Sequence, residues 1–578
     1  MENPEIARLL SETADLMEIA GQDAFRIRSY RNAAGVIDGY PEKVAEILRD
    51  PARDVTSIPG IGKGLAGALR ELVERGSFAR RDEMLEKYPP TALEMLRIQG
   101  LGPKTVRTLW EHFRVSTLED LERLCKEQKL RDLPRMGAKL EEKILQGISQ
   151  YRRSAGRFLL NYASAAASEL SEYLAQDAGV EQVTVAGSLR RGKETVGDLD
   201  LVITGERAAQ ALDRFVKHAR VHDVMGHGST RASARFGMEG LQVDVRAVPR
   251  QSYGAALQYF TGSKDHNVAL RQRALRLGLT LNEYGLFRLT DEARVAGESE
   301  EQVYAALGLP WIPPEMRENQ GEIEAAERGE LPKLIAPGDI QGDLHMHTRE
   351  SDGRATLEEM AEAARALGHA YIAITDHSKA LAMANGLDER RAVAFAARVR
   401  EFNREDRGIR VFSGLECDIL RDGRMDLSHD ALAELDFVVA SVHGYMNLEE
   451  REMTGRLLRA MECRAVKALG HPTGRVLLHR EAYAYDFDAV ARKAAAENVW
   501  LEINASPERL DLSAALLRRA KALGCRFTIS TDAHHPKHLA NMRFGVTMAR
   551  RGWLEKADVM NTRGASEFAA SIRKWIRE

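Results

Sequence analysis

Histidines and carboxylates recur after apolar segments in the C-terminal part of this 578-residue chain. Eleven of the 16 histidines follow residue 340. His345 and His347 are two residues apart, so at the end of a strand both imidazoles would face the same way. A lone histidine is more often structural, but nine nitrogen and oxygen ligands at recurring strand ends predict a multinuclear Zn²⁺, Mn²⁺ or Fe site. The nine are His345, His347, Asp352, His377, Glu416, His443, His471, Asp532 and His534.

A second set of acidic residues lies nearer the middle of the chain. Asp198 and Asp200 alternate with Leu199 and Leu201, so on a strand the carboxylates share one face and the leucines share the other. Asp244 stands between apolar neighbours in the same way. Three carboxylates that converge from adjacent strands would suit a pair of Mg²⁺ or Mn²⁺ ions.

Glycine-containing turns in the first 200 residues are typical of phosphate binding. The segment 187–191 (GSLRR) offers small residues, a hydroxyl group and two guanidinium groups to phosphate oxygens. The segments 58–62 (IPGIG) and 98–102 (IQGLG) each precede a predicted helix, whose N-terminal N–H groups and dipole would attract an anion. One such turn could be a plain helix end. Two copies, each followed by a lysine (Lys63, Lys104), favour helix-hairpin-helix elements.

The elements that must hold these residues follow from the periodicity of the sequence. The first 160 residues predict short amphipathic helices, with a weaker third glycine turn at 133–137. Alternation of β-branched residues then predicts an α+β unit. Its strands are expected at 183–186, 198–203 and 241–248, and its helices at 169–174 and 208–218. From residue 343, apolar strands alternate with alanine-rich helices, which predicts a parallel β/α barrel or sheet. Its strands are expected at 371–375, 411–413, 437–441, 500–504 and 526–530.

Composition limits the class of protein. Hydrophobic residues make up 44% of the chain and charged residues 29%, a balance typical of soluble globular domains. No apolar run reaches the roughly 18 residues of a membrane helix, and the N-terminus lacks the features of a signal peptide, so we expect a cytoplasmic protein without membrane association. The four cysteines show no CxxC spacing and predict buried thiols. The net charge of −3 does not by itself indicate nucleic acid.

The central motifs resemble those of family X DNA polymerases, the family of DNA polymerase beta. The resemblance covers residues 1 to about 315 and rests on Gly187-Ser188, Asp198-x-Asp200, Asp244, and the segments 259–263 (YFTGS) and 281–286 (LNEYGL). It implies a small N-terminal domain, fingers, a nucleotidyltransferase palm and a thumb. By position, the resemblance implies that Asp198, Asp200 and Asp244 are the catalytic carboxylates and hold two divalent ions.

Further roles are implied by the same resemblance. The residues that would contact the dNTP are Gly187, Ser188, Arg191, Gly197, Tyr259, Phe260, Gly262, Asn267 and Arg271. The helix-hairpin-helix turns would contact DNA and hold a monovalent cation at Thr56, Ile58, Gly60, Ile61, Gly62, Leu96, Ile98, Gly100, Leu101 and Gly102. Ala68 stands where some family members have a lysine that removes deoxyribose phosphate, so we do not expect an efficient lyase. Lys63 could substitute weakly.

The nine C-terminal ligands resemble those of the polymerase and histidinol phosphatase (PHP) domain, a distorted β/α barrel with a trinuclear metal centre. The resemblance covers residues 341 to about 570, and all nine ligand positions are filled, which implies an active phosphoesterase. For a bacterial family X polymerase with this domain, it implies 3′-5′ exonuclease activity, 3′-end trimming and abasic-site cleavage. We expect the other C-terminal histidines to lie at the surface or behind the ligands: His369, His429, His479, His535 and His538.

We therefore expect a multidomain protein with α-helical helix-hairpin-helix domains, a nucleotidyltransferase palm with a thumb, and a C-terminal distorted β/α barrel. The expected boundaries are 1–80, 81–155 (fingers), 156–250 (palm), 251–315 (thumb), 316–340 (a linker whose middle could be helical) and 341–578 (barrel).

The expected function is a monomeric, nucleoid-associated DNA polymerase that fills short gaps in repair and processes 3′ ends. Its substrates would be dNTPs and gapped or primer-template DNA. Two alternatives stay open. In one, the barrel hydrolyses a small phosphate ester such as histidinol phosphate. In the other, the chain is a non-catalytic scaffold that binds DNA ends.

Overall fold

The computed structural model divides the chain into two compact units, Met1–Ala155 with Leu478–Arg480, and Gly156–Leu477 with Glu481–Glu578. The structure describes residues 1, 3–38, 40, 42–50, 52–58, 60–96, 98, 101–133, 136–154 and 156–573. Among these residues, no helix is both long and apolar enough to cross a membrane.

The first unit is helical, because its apolar residues recur at helical spacing and glycine and proline interrupt them. One buried cluster forms around Leu10, Leu69 and Leu72, and a second forms around Leu109 and Leu121. The helices are α1 (Asn3–Ile19), α2 (Ala24–Asp38), α3 (Val44–Arg49), α4 (Lys63–Arg75), α5 (Ala79–Lys87), α6 (Thr91–Met95), α7 (Pro103–Phe113), α8 (Leu118–Lys126) and α9 (Ala138–Ser154), with 3₁₀ turns at Val55–Ser57 and Lys129–Asp132.

Three turns of this unit repeat one backbone pattern. In each, the N–H of the second apolar residue donates to the carbonyl of the first, and a helix begins two residues later. The donor and acceptor pairs are Ile61 to Ile58 (3.1 Å), Leu101 to Ile98 (3.0 Å) and Met136 to Leu133 (3.2 Å). The helices that follow are α4, α7 and α9. The predicted helix-hairpin-helix repeat is therefore confirmed, including its weaker third copy.

The second unit begins with the palm. Its five-stranded sheet has the order β2-β4-β7-β6-β5, in which β4 and β7 are parallel and the other pairs antiparallel. Strands β1 and β3 form a separate pair. The elements are β1 (Phe158–Leu159), α10 (Leu160–Ala175), β2 (Gln182–Val185), α11 (Gly187–Arg190), β3 (Thr195–Val196), β4 (Asp198–Thr204), α12 (Ala208–Phe215), β5 (Val221–His227), β6 (Arg231–Phe236) and β7 (Leu241–Ala247).

The thumb follows the palm and consists of helices and a small antiparallel sheet of order β10-β9-β8. Its elements are a 3₁₀ turn (Arg250–Ser252), α13 (Tyr253–Thr261), α14 (Lys264–Arg276), β8 (Leu279–Asn282), β9 (Gly285–Arg288), β10 (Arg294–Ala296) and α15 (Glu300–Ala306).

The segment predicted as a linker packs on the thumb. It contains α16 (Glu322–Arg328) and lies between the 3₁₀ turns Pro314–Met316 and Pro337–Asp339. Arg317 is fully buried, and its guanidinium lies 2.6 Å from the carboxylate of Glu300 in α15. Because a buried ion pair fixes both partners, this connection is an ordered part of the second unit.

The C-terminal part is a nearly closed barrel of seven parallel strands in sequence order. The strands are β11 (Gly342–Asp343), β12 (Tyr371–Ile374), β13 (Arg410–Asp418), β14 (Phe437–Ser441), β15 (Val466–Leu469), β16 (Trp500–Asn504) and β17 (Phe527–Ser530). After the first and last strands, the N–H of Asp532 donates to the carbonyl of His345 (2.9 Å), and that of His347 to the carbonyl of Ala533 (2.8 Å). The predicted β/α barrel is thus confirmed.

Helices alternate with these strands, as the sequence predicted. They are α17 (Leu357–Ala366), α18 (Glu389–Phe402), α19 (His429–Ala433), α20 (Glu450–Ala460), α21 (Phe487–Glu497), α22 (Ala514–Ala522), α23 (Met542–Arg551) and α24 (Ala565–Arg573), with 3₁₀ turns at Ala382–Ala384, Pro536–Asn541, Lys556–Asp558 and Met560–Thr562. The carboxyl ends of parallel strands meet at one rim, so the barrel gathers the polar residues of each strand end.

Candidate functional site

Two of the three palm carboxylates lie side by side. Strands β4 and β7 pair in parallel with Asp200 opposite Asp244, and Asp198 is opposite Gln242 two residues earlier. The alternate residues Leu199 and Leu201 are fully buried, which turns the carboxylates to the other face of the sheet. The structure therefore brings the three predicted carboxylates together on two paired strands.

The pKa of Asp200 departs clearly from the usual range of a carboxyl group. Burial raises its pKa to about 7, and the neighbouring carboxylates of Asp198 and Asp244 act in the same direction. Like charges that repel in a confined space favour a bound cation, because a cation relieves both the repulsion and the loss of hydration. The acidic set thus fits divalent ions electrostatically.

Asp244 is held by hydrogen bonds within the sheet. Its Oδ1 accepts from Arg231 Nε (3.0 Å) and from the Ser233 hydroxyl, and its Oδ2 accepts from Gln242 (2.9 Å). Burial would raise the pKa of Asp244, but these donors outweigh burial and lower it. A cation that binds Asp244 Oδ1 would therefore have to displace Arg231.

The loop before β3 carries the predicted phosphate-binding residues. Gly187 has φ +64°, and a Cβ at this position would lie 2.6 Å from Asp200 Oδ2. A side chain would therefore clash with the acidic site, so glycine lets the loop approach it. Ser188 lies beside it in the short helix α11, and Gly197 directly precedes Asp198 and β4.

The two consecutive arginines of this loop bond to different carboxylates. Arg190 donates two hydrogen bonds to Glu300, both 2.8 Å long, and so ties the palm to the thumb. Arg191 donates from Nε to Glu318 (3.1 Å) and from a terminal nitrogen to the carbonyl of Thr261. Arg190 also donates to the Thr261 hydroxyl (2.7 Å), so both arginines bond to the last residue of α13.

The predicted nucleotide-contacting residues of the thumb lie on and after α13. The rings of Tyr259 and Phe260 are 5.1 Å apart and nearly perpendicular, and Gly262 follows the end of the helix. Asn267 is 8% exposed and donates to the carbonyl of Tyr259 (2.7 Å), so its amide is engaged within the protein. Arg271 is exposed on α14.

The predicted DNA-facing residues of the first unit lie in its turns. Ile58, Ile61, Ile98 and Leu101 are buried, so their side chains serve packing and only their backbone groups could serve a ligand.

The other predicted residues of these turns flank the helices. Thr56 lies in the 3₁₀ turn Val55–Ser57, and Leu96 caps α6. Gly60 lies between Ile58 and Ile61, and Gly62 and Gly102 precede α4 and α7. A Cβ at either Gly62 or Gly102 would meet nothing within 4 Å. Gly100 lies outside the described residues.

The nine predicted barrel ligands come together at the carboxyl ends of the strands. Three overlapping groups place their ligand atoms within 4.8 Å of one another. The groups are His347, Asp352, His377 and His534; His345, His347 and Asp532; and His377, Glu416 and His443. The ninth, His471, approaches Glu416 with its Nε2 2.8 Å from Oε1.

Glu416 is the centre of this arrangement. Its two carboxylate oxygens lie 2.8 Å from His377 Nδ1, 3.3 Å from His443 Nε2 and 3.4 Å from His345 Nε2. Asp532 Oδ1 lies 3.1 Å from His347 Nε2. Glu416 and Asp532, together with the histidines around them, are therefore the residues that would hold cations here.

Orphaned polar atoms test whether cations fit this pocket. Within the described part of the chain, His347 Nδ1 and His471 Nδ1 are buried without a hydrogen-bond partner. His345 Nε2, His377 Nδ1 and Glu416 Oε2 are buried close to one another but not in hydrogen-bonding geometry. Buried polar atoms are normally paired, because an unpaired one costs about 1 to 3 kcal/mol. Nitrogen and oxygen donors in this number fit Zn²⁺, Mn²⁺ or Fe.

Two carboxylates behind the ligands were not predicted. Glu502 Oε1 lies 2.6 Å from His345 Nδ1, and Asp418 Oδ2 lies 3.3 Å from His443 Nδ1. Such groups fix the orientation and tautomer of a ligating histidine. The signal for Glu502 was present in the sequence: a glutamate within the apolar run of β16 (WLEIN) is out of place unless it has a buried partner.

Arg509 was also missed. Its Nε lies 3.6 Å from Asp532 Oδ2, and its backbone carbonyl accepts from Arg475 (3.0 Å). A guanidinium beside metal-binding carboxylates is suited to a substrate phosphate. It lies in the loop after β16, and no periodicity marks it.

The remaining histidines and the cysteines behave as ordinary residues. His429 and His479 are exposed, His535 and His538 adjoin the last ligands, and His369 is 8% exposed after α17. All four cysteines are free; Cys125, Cys417 and Cys525 are buried as predicted, whereas Cys463 is only half-buried.

Family models match four parts of the chain. The DNA polymerase beta thumb model matches residues 256–318, and the PHP domain model matches residues 343–506. A helix-hairpin-helix domain model matches residues 1–78, and a SAM-like helix-hairpin-helix tandem model matches residues 92–149. The class of protein that this fold and these models define is a multidomain polymerase that joins helix-hairpin-helix domains and a thumb to a PHP domain.

Curated relatives make the family specific. The chain is 36% identical over 575 residues to DNA polymerase/3′-5′ exonuclease PolX of Bacillus subtilis (strain 168), covering 99% of this chain and 100% of that protein. It is 26% identical over 352 residues to DNA polymerase lambda of Arabidopsis thaliana (54% of this chain, 62% of the relative). It is 27% identical over 348 residues to DNA polymerase lambda of Rattus norvegicus (55% and 56%). The chain belongs to the family X DNA polymerases that carry a PHP domain.

Proposed function

We propose that this protein is a cytoplasmic DNA-directed DNA polymerase that fills short gaps during repair and uses its barrel as a 3′-5′ exonuclease. The observation that carries the proposal is the pairing of Asp200 with Asp244 beside the Gly187 loop, in a chain whose separate barrel gathers side chains that could hold metal ions. A relative that matches over 575 residues is named for both activities.

In the palm, Asp198, Asp200 and Asp244 would bind two divalent ions, Mg²⁺ or Mn²⁺. When bound, these ions ease deprotonation of the primer 3′-hydroxyl and neutralise the triphosphate. The parallel register holds Asp200 and Asp244 at one height, so the carboxylates are positioned before substrate arrives. Because Gly187 has no side chain, the loop lies close to Asp200, where it would bind the phosphates beside the carboxylates.

The dNTP would lie between the palm loop and the thumb. Ser188 and Arg191, with the backbone of Gly187 and Gly197, would bind its phosphates through N–H and O–H donors. Tyr259, Phe260 and Gly262 would form the wall against the sugar, and Asn267 and Arg271 would contact the minor-groove edge of the new base pair. Asn267 would first have to release the carbonyl of Tyr259.

In the barrel, the nine ligands would bind up to three ions of Zn²⁺, Mn²⁺ or Fe, which supply a nucleophilic water and neutralise charge at phosphorus. Glu502 and Asp418 orient His345 and His443. Arg509 would grip the phosphate from the side of Asp532. Cleavage at the 3′ end and at abasic sites uses the same phosphodiester chemistry.

The protein would act as a monomer. The turns of its first unit would bind DNA through backbone groups. The outward N–H groups before α4 and α7 suit phosphate, and the carbonyls at Thr56, Ile58, Ile61, Leu96, Ile98 and Leu101 would hold a monovalent cation. Because these contacts need no basic side chains, they are compatible with a net charge of −3. With Ala68 in this unit, a deoxyribose-phosphate lyase would be weak at best.

The test is incorporation of one dNTP into 5′-phosphorylated DNA with a one-nucleotide gap, with Mg²⁺ or Mn²⁺, beside degradation of single-stranded DNA and cleavage of an abasic oligonucleotide. Asp200→Ala should abolish incorporation and leave degradation, whereas His347→Ala should do the reverse. Asp223→Ala and His429→Ala, both at exposed positions, are the matched controls. Loss of both activities in Asp200→Ala would contradict two independent sites.

A small phosphate ester is a second candidate substrate for the barrel. Asp352 and His534 have side chains 37% and 32% exposed, while His345, His347 and Glu416 are at most 1% exposed. The ligands therefore open to solvent on one side, which would also admit a phosphomonoester. Hydrolysis of histidinol phosphate without hydrolysis of DNA would favour this alternative.

A further inference from the structure

The palm and the barrel are in direct contact at the phosphate-binding loop. Gly192 ends this loop with φ +67°, and a Cβ at this position would lie 2.2 Å from Thr547 Cγ2 and 3.5 Å from Arg551 Cδ. Thr547 and Arg551 belong to α23, a helix of the barrel. The loop that faces Asp200 on one side thus rests on the barrel on the other.

Arg551 is the main polar contact from the barrel. It is 6% exposed, and its guanidinium donates to the backbone carbonyl of Arg191 (2.8 Å) and to Glu318 Oε1 (3.3 Å). Its second terminal nitrogen lies 4.0 Å from Glu194. A guanidinium buried at this depth retains its ion pairs far better than an exposed one.

Glu318 connects Arg551 to the side chain of Arg191. Its Oε1 accepts from both Arg551 and Arg191 Nε (3.1 Å). Burial would raise the pKa of Glu318, but Arg191, Lys193 and Arg551 outweigh burial and keep the carboxylate ionised. Because Nε and one terminal N–H of Arg191 are fixed, the planar guanidinium has one orientation and further donors left for a ligand.

We propose that Arg551 of the barrel is a positioning residue for the polymerase site. It holds both the backbone of Arg191 and, through Glu318, its guanidinium, so that the remaining donors of Arg191 meet the phosphates of the dNTP. The inference rests on the proposed polymerase function and adds to it that a residue of the phosphoesterase barrel sets the affinity of the palm for nucleotide. A pre-oriented arginine loses less freedom on binding and therefore binds more tightly.

The test compares Arg551→Met with Arg550→Met in steady-state gap filling at varied dNTP concentration. Arg550 is the neighbour on the same helix, but its bonds go to Glu315 (2.6 Å) and to the carbonyl of Ile335 (2.9 Å), away from the palm loop. For Arg551→Met we expect KM for dNTP to rise about tenfold with kcat nearly unchanged, the cost of about one charge-assisted hydrogen bond. Arg551→Lys should restore part of the affinity, and Arg550→Met should leave KM as it is.

Glu318→Gln tests the same contact without a change of size. It should raise KM in the same direction. The double variant Arg551→Met/Glu318→Gln should raise KM by less than the two single variants combined, because both changes disturb the contact through Glu318. An unchanged or lowered KM in Glu318→Gln overturns the proposal, since a lowered value would mean that Glu318 competes with the nucleotide for Arg191. If Arg551→Met does not fold, Arg551→Lys replaces it in the comparison with Arg550→Met, and equal KM values for these two variants would overturn the proposal.

The outcomes separate this inference from the proposed function. If the unaltered protein does not incorporate dNTP, the proposed polymerase function fails. If it does, and Arg551→Met and Arg550→Met have equal KM values, only the positioning role of Arg551 fails. Degradation of single-stranded DNA should be alike in both variants, and a loss confined to Arg551→Met in that assay as well would indicate general loosening and overturn the proposal.

Discussion

The carboxylate of Glu194 in the palm lies 3.6 Å from the guanidinium of Arg475, which belongs to the barrel loop that follows His471. Arg475 also donates to the backbone carbonyls of Arg509 (3.0 Å) and Leu510. The side chain of Arg509 in turn approaches Asp532. A residue of the palm is therefore linked through one arginine to a loop of the phosphoesterase site.

Replacing Arg475 by methionine should impair the nuclease. Without the guanidinium, the loop that carries Arg509 loses two hydrogen bonds. If Arg509 binds the substrate as proposed, its displacement by about 1 Å could cost about 100-fold in rate. We expect the degradation of single-stranded DNA to slow by about 10- to 100-fold.

Arg492→Met is the control for that prediction, because Arg492 is an exposed barrel arginine that pairs only loosely with Asp488 (3.7 Å). The rate is measured on 3′-labelled single-stranded DNA with Mn²⁺. Equal rates for Arg475→Met and Arg492→Met would show that the loop does not depend on Arg475.

Replacing Glu502 by glutamine should weaken metal binding. Glu502 orients His345, and its second oxygen accepts from the N–H of His471 (2.6 Å). Loss of such a partner typically costs about 10- to 100-fold in metal affinity. Nuclease activity titrated against free Mn²⁺ should shift to higher concentration by that factor. Glu497→Gln, on the exposed side of α21, should not shift, and an unshifted titration for Glu502→Gln would rule out the orienting role.

Replacing Arg231 by methionine should make the palm bind Mg²⁺ more readily. Arg231 occupies Oδ1 of Asp244, so a cation must displace it. We expect half-maximal incorporation at an Mg²⁺ concentration several-fold lower, of the order expected for one partly exposed ion pair worth about 1 kcal/mol. Arg235→Met is the control, because Arg235 lies on the same strand and bonds to the carbonyl of Gly240 instead. A higher Mg²⁺ requirement in Arg231→Met would show that Arg231 assists metal binding.

Replacing Glu322 by alanine should destabilise the connection between thumb and barrel. Glu322 is fully buried, lies 2.6 Å from His266 Nδ1 and accepts from the N–H groups of Asn319 (2.8 Å) and Gln320 (2.6 Å). Removing one partner of a buried charged network costs about 3 to 5 kcal/mol. The melting temperature should fall by several degrees, whereas Glu324→Ala, on the exposed side of α16, should leave it unchanged. Equal melting temperatures would mean that the buried network contributes little.

Periodicity accounts for much of what the sequence predicted. The alternation around Asp198 and Asp244 gave strands within one residue of β4 and β7, because buried leucine and valine must share a face. The hairpin strand β5 was not predicted, because it is an edge strand whose residues are largely exposed and so carry no apolar alternation. Strand β13 extends to Asp418 instead of ending near 413, since Gly414 and Glu416 lie in a strand that is buried on both faces.

The site was predictable only where chemistry is concentrated in short motifs. The nine barrel ligands stand out because imidazole and carboxylate recur at strand ends, and the structure gathers them. Arg509 and Arg551 did not stand out, because each is one arginine among many and acquires a partner only when distant segments fold together.

The contact between Gly192 and Thr547 bears on how such proteins can be recombined. In a chimaera, the palm of one relative would meet the barrel of another at this contact. The palm loop has no room for a side chain at Gly192, and α23 must place a guanidinium where Arg551 lies. We therefore expect chimaeras to work only when the loop 191–194, Glu318 and α23 are inherited as one set. The palm and the barrel of this chain are therefore not independently exchangeable. A substitution on one side of this contact limits which residues the other side can carry.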